Sequence, residues 1–290
     1  MTALGIDYGG TRTKLLLRGD AGEELARGTV ETGDLAALSA ATAEFVADAP
    51  ARADAFGLTI AGTLDPVTGV VGRSTNLPWL DGTAPAAELA DLLGFPGIAV
   101  QDGEAAALAE ARAGAGRDAD DVFVIALGTG IAGAHVVNGT VRRGAHGAAG
   151  EIGHMRVTDA EHACSCGRKG CLETLIGGTQ LGLRWRECGG PVGATAREVV
   201  EAARAGDAAA IAVLEDAADG LARALLELTA LIDPALVVIG GGVARSPEWT
   251  VDPAVERART HATFHTVPRV VPAELGVWAG AHGAALAAAL

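Results

Sequence analysis

Four potential metal ligands lie close together near the middle of the chain. His154 is followed ten positions later by Cys164, and Cys166 and Cys171 come soon after it in the motif CSCGRKGC. One imidazole and three thiolates form a complete donor set for a tetrahedral zinc ion, whereas a catalytic zinc keeps one position open. The spacing therefore predicts a structural zinc site. Unconnected thiols in a reduced cytosol, or a disulfide pair, are the alternatives.

Two carboxylates bracket this cluster. Glu151 lies three residues before His154, and Glu173 lies two residues after Cys171. Residues three apart share a face of a helical turn, so Glu151 and His154 are expected to point the same way. A zinc ion held by His154 and Cys171 would fix the directions of both carboxylates. We therefore predict that the metal acts as a clamp for a polar pocket.

A third carboxylate stands where a strand passes into a helix. The sequence predicts a strand over 97–101, then Asp102, then a helix that starts directly after it. Chemistry in open α/β sheets is placed at the carboxyl ends of strands. Aspartate is also a good helix N-cap. The local sequence leaves both roles open for Asp102.

Apolar strands are joined by glycine turns at two places. In DYGGTRTK, Asp7 ends one strand and Gly9-Gly10 turns the chain; in ALGTGIAGA, Gly128–Gly130 does the same. Exposed backbone N–H groups in such turns can hold a phosphate, and Asp7 can hold magnesium through water. A plain hairpin is the alternative for the first turn. The repeat predicts two related α/β domains whose turns converge on one phosphate chain.

A third glycine run follows a strand near the end of the chain, in VIGGGVA. The backbone of Gly240–Gly242 suits the approach of a flat nucleotide ring or a ribose, and a tight joint is the alternative.

The elements that position these residues alternate along the chain. Three strands are predicted over 3–30, and others over 54–60, from 121 and at VPRVVP, with Asn138-Gly139 forming a hairpin turn. Helices are predicted over 34–48, about 84–94, 207–232 and about 276–290. Residues 62–83 are expected to form an irregular loop. A helix is expected to begin at the end of VIGGGVA.

Composition bounds the class of protein. The 290 residues, 49% of them hydrophobic, suffice for one large or two ordinary domains. A net charge of −14 disfavours nucleic acid and anionic lipid as partners. No apolar run is long enough for a membrane helix, and MTALGIDYGG does not resemble a signal peptide. We therefore expect a cytoplasmic protein that binds neither membranes nor nucleic acid.

Taken together, the motifs resemble those of the ROK family of bacterial sugar kinases, most closely its glucokinases. They occur in family order from Gly5 to about Gly283, and the specific pair is EIGH with CSCGRKGCLE. The others are DYGGTRTK, STNLPW, QDGEAAALAE, ALGTGIAGA and VIGGGVA.

The resemblance implies an α/β fold of the two-domain actin-like ATPase type, shared with hexokinase, Hsp70 and actin, with ATP and sugar in the cleft. The implied domains are a small one, 1–117 plus 276–290, and a large one, 118–275, with the structural zinc. The C-terminal helix would pack back on the first domain. A homodimer or homotetramer is also implied.

The resemblance also implies residue roles, with Asp102 as the catalytic base. The sugar would be bound by Gly62, Thr75, Asn76, Gln101, Asp102, Glu151, His154 and Glu173. ATP and Mg²⁺ would be bound by Asp7, Gly9, Gly10, Thr11, Lys14, Gly128, Thr129, Gly130, Gly240, Gly241 and Gly242. Structural Zn²⁺ would be bound by His154, Cys164, Cys166 and Cys171.

The chain departs from the family pattern beside the expected substrate. The family usually has Asn-Asp followed by Ala-Asn, where this chain has Gln101-Asp102 and Gly103-Glu104. Near a sugar hydroxyl, the longer glutamine arm is expected to displace or re-angle a hydrogen bond. The predicted reaction is ATP-dependent phosphorylation of a hexose hydroxymethyl, glucose to glucose 6-phosphate. A kinase for an amino sugar or a C7-cyclitol is the alternative, and polyphosphate is an alternative donor.

A sugar-sensing transcriptional regulator is the rival from outside the enzyme class. Regulators of the family carry an N-terminal helix-turn-helix, and the present sequence reaches its first glycine turn by Gly9. We therefore expect an enzyme.

Overall fold

The computed structural model describes residues 1–74 and 76–290. The chain forms two compact units. The first contains Met1–Arg117, Gly139–Val141 and Leu275–Leu290, and the second contains Asp118–Asn138 and Arg142–Glu274.

The first unit is built on a five-stranded sheet with the order β3-β2-β1-β4-β7. Its strands are β1 (Ala3–Tyr8), β2 (Arg12–Arg18), β3 (Glu24–Glu31), β4 (Ala55–Ile60) and β7 (Gly97–Gln101). Between β4 and β7 the chain forms the hairpin β5 (Gly62–Leu64) and β6 (Val71–Ser74) and a 3₁₀ turn at Pro78–Leu80. The expectation of an irregular loop over 62–83 was therefore wrong for the hairpin, whose short strands carry too few apolar residues to be recognised.

The second unit repeats this path. Its strands are β8 (Asp121–Leu127), β9 (Ile131–Val137), β11 (Leu236–Gly240) and β12 (Arg269–Pro272), in the order β9-β8-β11-β12. The short strand β10 (Thr140–Val141) follows the turn at Asn138-Gly139, where both residues have positive φ. Strand β1 pairs antiparallel with β2 and parallel with β4, and β8 pairs in the same two ways with β9 and β11, so the predicted repeat is present in the sheets.

The helices lie close to their predicted positions. Helices α1 (Leu35–Ala47), α2 (Pro85–Leu93) and α3 (Asp102–Arg112) belong to the first unit. The second unit has α4 (Glu173–Ile176), α5 (Gly178–Glu187), α6 (Ala196–Arg204), α7 (Ala208–Leu231) and α8 (Val251–His261). The glycine run after β11 leads into 3₁₀ turns rather than directly into an α-helix, because Pro247 interrupts the segment before α8.

The last helix, α9 (Ala279–Ala288), packs on the sheet of the first unit. Its alanines and glycines let the backbones approach closely. A Cβ at Gly5 would lie 1.8 Å from the carbonyl oxygen of Ala281, and one at Gly57 would lie 2.0 Å from that of Ala284. Glycine is therefore required at positions 5 and 57 by this contact.

No helix within 1–74 and 76–290 has both the length and the apolarity needed to cross a bilayer.

Candidate active site and metal centre

The four predicted metal ligands converge on one point of the second unit. The ligand atoms of His154, Cys164, Cys166 and Cys171 all lie within 4.8 Å of one another. The chain folds back between the cysteines because Cys164 N–H donates to Arg168 O at 2.8 Å. The glycines of this knuckle, at 167 and 170, have φ values of +88° and +75°.

The distances between donors fit a tetrahedral zinc ion. A Zn–S bond of about 2.3 Å requires sulfurs about 3.8 Å apart in a tetrahedron. The Sγ atoms of Cys166 and Cys171 are 3.7 Å apart, and Cys164 Sγ lies 3.5 Å from His154 Nδ1. A disulfide needs sulfurs about 2.0 Å apart, and all four cysteines are free thiols. The donor set and its spacing therefore fit zinc.

The two carboxylates beside the cluster have different surroundings. Glu151 Oε2 lies 3.9 Å from His154 Nε2, and its side chain is 62% exposed. The imidazole of His154 thus turns Nδ1 to the cysteines and Nε2 toward Glu151. Glu173 is half-buried, and its Oε2 accepts a hydrogen bond from Ile131 N–H at 3.1 Å.

The second glycine turn lies against the start of α5. Gly178 N–H donates to Gly128 O at 2.8 Å, and Gly128 N–H donates to Gly130 O at 2.9 Å. Beside this turn is a cavity of about 640 Å³. Its lining includes Gly128, Thr129, Gly178, Thr179, Gly182 and Gly242. This volume falls in the range of small-molecule and cofactor sites.

The three glycines of the VIGGGVA run have different surroundings. Gly240 lies against Ala273, and Gly241 has a φ of +97° with Leu127 O only 2.2 Å from its Cβ position. Packing therefore accounts for both glycines. Gly242 lines the cavity, and a Cβ there would have no neighbour within 4 Å.

The first glycine turn is surrounded by charged and hydroxyl side chains, placed by strand register. Antiparallel pairing sets Lys14 opposite Asp7, and parallel pairing sets Thr59 beside it. Lys14 Nζ donates to Asp7 Oδ2 at 2.7 Å, and Thr59 Oγ1 donates to Asp7 Oδ1 at 3.0 Å. The Asp7 carboxylate is therefore held in one orientation.

The turn itself is braced by Thr32. Its N–H donates to Thr11 O at 3.1 Å, and its Oγ1 donates to Gly9 O at 2.7 Å. Asn76 approaches from the other side, with its Cβ 3.2 Å from the Cβ position of Gly10. The turn and the STNLPW loop thus contact each other within the first unit.

Asp102 is the first residue of α3 and is half-buried. Burial raises its pKa above the usual aspartate range, and the negative charge of Asp7 adds to this, whereas the Gly103 N–H opposes it. The cap of α3 is Gln101, whose Oε1 accepts from Glu104 N–H at 2.8 Å. Gln101 therefore caps α3, and since Gly103 N–H donates to Asp102 Oδ1 alone, the other oxygen of the Asp102 carboxylate is left for other chemistry.

The comparison with known families matches nearly the whole chain. The ROK family model covers residues 3–289. The chain belongs to the ROK family.

Several ROK proteins are similar along their full lengths. The chain is 32% identical to a glucokinase of Thermotoga maritima, covering 97% of this chain and 95% of the relative. It is also 32% identical to an N-acetylmannosamine kinase of Escherichia coli O1:K1 / APEC, covering 91% of each. A solved structure, a ROK family glucokinase from Streptomyces griseus in complex with glucose and AMPPNP, superposes with a TM-score of 0.79 at 30% identity, covering 100% and 99%. The fold is thus the α/β actin-like ATPase fold of ROK kinases.

The residues named by the ROK motifs are divided between the two units. In the first unit, Gly62 begins the hairpin beneath the STNLPW loop, and a Cβ there would lie 2.0 Å from Arg73 O. Thr75 lies outside the described residues. Ser74 supports this loop, since Ser74 Oγ donates to Ala61 O at 2.8 Å.

Sequence reasoning missed Thr32, Thr59 and Ser165. Thr32 and Thr59 act on the first turn through strand pairing, which a motif search does not reveal. The alternation of side chains along β4 could have identified Thr59 once the pairing with β1 was known. Ser165 lies between two zinc ligands, and its Oγ is 3.4 Å from Glu173 Oε1.

Proposed function

We propose that this protein transfers the γ-phosphate of ATP to the hydroxymethyl oxygen of a hexose, glucose in the first place, giving glucose 6-phosphate. An ATP-dependent sugar kinase is the enzyme class of its full-length relatives. The observation that carries the proposal is Asp102, a half-buried carboxylate of raised pKa at a strand end, beside a braced glycine turn.

Asp102 is proposed as the general base. A raised pKa brings the carboxylate nearer to the pH at which it must take a proton from the attacking hydroxyl, and such catalysis contributes about 10²–10⁴-fold. Phosphoryl transfer otherwise depends on positioning and charge neutralisation.

The nucleotide is proposed to occupy the cavity of the second unit, with its phosphates along Gly128–Gly130 and Gly9–Gly10. Backbone N–H groups would hold the phosphate oxygens. Magnesium would be held through water by Asp7, whose oxygen donors suit it, and would neutralise charge on the β- and γ-phosphates. Lys14, paired with Asp7, keeps that carboxylate in place.

The sugar is proposed to contact Asn76, Glu151, His154 and Glu173. Zinc would be held by His154 and the three cysteines as a structural ion that orients the ligands around it. Sites that hydrogen-bond substrate hydroxyls discriminate strongly against analogues that lack them.

A kinase for an amino sugar is the second candidate. It is favoured by Gln101 in place of the family's asparagine and by an N-acetylmannosamine kinase that is as similar as the glucokinase named above. In this structure Gln101 Oε1 accepts the capping hydrogen bond of α3, and its amide N–H₂ can donate to a substrate acceptor.

The test is magnesium-ATP turnover on glucose, mannose, glucosamine, N-acetylmannosamine and a C7-cyclitol, with a no-sugar control. A kcat/KM for glucose at least tenfold above the others supports the first candidate. A preference for an amino sugar or cyclitol supports the second. No turnover with ATP or polyphosphate contradicts both.

A further inference from the structure

The second glycine turn is held by the segment that directly follows the last zinc ligand. Gly178 N–H donates to Gly128 O at 2.8 Å, and Thr179 N–H donates to Thr129 O at 3.4 Å. The third contact is made by Glu173, whose Oε2 accepts from Ile131 N–H at 3.1 Å. Only a few residues therefore separate Cys171 from every one of these contacts.

Glu173 also contacts the loop that carries the zinc ligands. Its Oε1 lies 3.4 Å from Ser165 Oγ and 4.0 Å from Cys164 Sγ. One carboxylate group thus uses one oxygen on the glycine turn and the other on the metal loop. Both contacts lie within the second unit.

The glycine turn is shaped to receive this carboxylate. A Cβ at Gly130 would lie 2.6 Å from Glu173 Oε2, so the backbone passes directly over the oxygen. Any side chain at 130 would displace it. The absence of a side chain at Gly130 is therefore explained by Glu173 as well as by an approaching phosphate.

Glu151 provides a comparison, because it also lies beside the cluster. Its carboxylate lies 3.9 Å from Nε2 of His154, and the side chain is largely exposed. Within residues 1–74 and 76–290, Glu151 makes no hydrogen bond to the glycine turn. Both carboxylates are expected to bind the sugar, but of the two it is Glu173 that contacts the segment of the glycine turn.

We propose that Glu173 is a positioning residue for the nucleotide, and that it couples zinc occupancy to the shape of the second glycine turn. This rests on the proposed function in one respect, namely that the turn binds nucleotide phosphates. Zinc fixes Cys164 and Cys171, these fix Glu173, and Glu173 fixes Ile131 N–H at the end of the turn. Loss of zinc then weakens nucleotide binding even when no sugar is present.

The first test measures binding of a non-hydrolysable ATP analogue with magnesium by calorimetry, without sugar, at full zinc occupancy. Glu173→Ala leaves the partly buried N–H of Ile131 without its charged acceptor. The lost hydrogen bond is expected to raise the nucleotide Kd about tenfold. Glu173→Gln retains a carbonyl acceptor for Ile131 N–H, so its Kd stays within about threefold of the unaltered protein. Glu161→Ala, the matched control, removes an exposed carboxylate that lies between His154 and Cys164 in the chain and pairs with Lys169, and it leaves nucleotide Kd unchanged.

The second test removes zinc with a chelator and confirms by circular dichroism that the chain remains folded. Zinc removal is expected to raise nucleotide Kd about tenfold in the unaltered protein and to add little in Glu173→Ala, because two changes along one path are not additive. An equal loss in both proteins would overturn the coupling through Glu173.

The outcomes separate this inference from the proposed function. If the unaltered protein binds no nucleotide, the proposed function fails and the inference fails with it. If it binds nucleotide and Glu173→Ala binds as tightly, or Glu161→Ala binds as weakly as Glu173→Ala, only the inference fails.

Discussion

The two glycine turns follow the same backbone path but are supported in different ways. The turn at Gly9–Gly10 lies among side chains: Lys14 and Thr59 hold Asp7, and Asp102 follows the strand at the sheet edge. The turn at Gly128–Gly130 is held by backbone hydrogen bonds from Gly178 and Thr179, and the Glu173 side chain accepts from the N–H of the residue that follows it, Ile131. The repeated topology therefore fixes the path, while the chemistry differs between the units.

This difference suggests that the two units contribute different functions. The first unit carries the ionisable groups that suit proton transfer and charge neutralisation. The second unit carries the cavity of about 640 Å³ and the metal centre, which suit binding and orientation. Each substitution below affects one side of this comparison.

The largest expected effect is on Asp102. We expect Asp102→Asn to lower kcat by about 10²–10⁴-fold, because the amide cannot accept the hydroxyl proton. Nucleotide binding, assigned to other residues, should change little. A general base loses its function when it is protonated. Because the pKa of Asp102 is raised, the fall in rate on acidification should begin at a higher pH than it would with an ordinary aspartate. Steady-state kinetics across pH would measure this, and an unchanged kcat would remove Asp102 from the mechanism.

The next effect concerns the metal centre and is measured as stability. Cys171 is fully buried within the donor set, whereas Cys188 is exposed and lies outside it. Cys171→Ser should reduce zinc content and lower Tm by about 10 °C or more, since metal binding contributes to folding free energy. Cys188→Ser should change neither. Equal Tm values for the two variants would contradict a structural zinc.

Some features of the fold and of the candidate site could be predicted from the sequence, and others could not. The strands, the long helices and the cluster of His154 with three cysteines were predictable because apolar runs broken by glycine and closely spaced cysteines are local signals. The first turn's partners were not, because Thr59 reaches Asp7 only through the register of β1 with β4. The cap of α3 was also open, since Gln101 and Asp102 compete for the same N–H groups and only the backbone geometry decides.

A smaller effect separates the glycines at 241 and 242. Gly242→Val places a side chain into the cavity, so we expect KM for ATP to rise about fivefold while the free energy of unfolding is unchanged. Gly241→Ala should instead lower the free energy of unfolding by about 1–3 kcal/mol, because φ is +97° and Leu127 O is 2.2 Å from the new Cβ. Kinetics and urea unfolding of both variants test this, and the reverse pattern would exclude the cavity as the nucleotide site.

The smallest expected effect is that of Gln101→Asn. Asparagine is itself a good N-cap, so α3 should keep its cap and the free energy of unfolding should change by less than about 0.5 kcal/mol, whereas Gln101→Ala should cost about 1 kcal/mol. The shorter arm moves the amide N–H₂ away from the substrate side. We therefore expect the ratio of kcat/KM for glucose to that for an amino sugar to change about two- to threefold. An unchanged ratio, with stability changed only in Gln101→Ala, would show that this residue serves the helix and not the sugar. Substrate choice would then have to come from the carboxylates beside the metal centre.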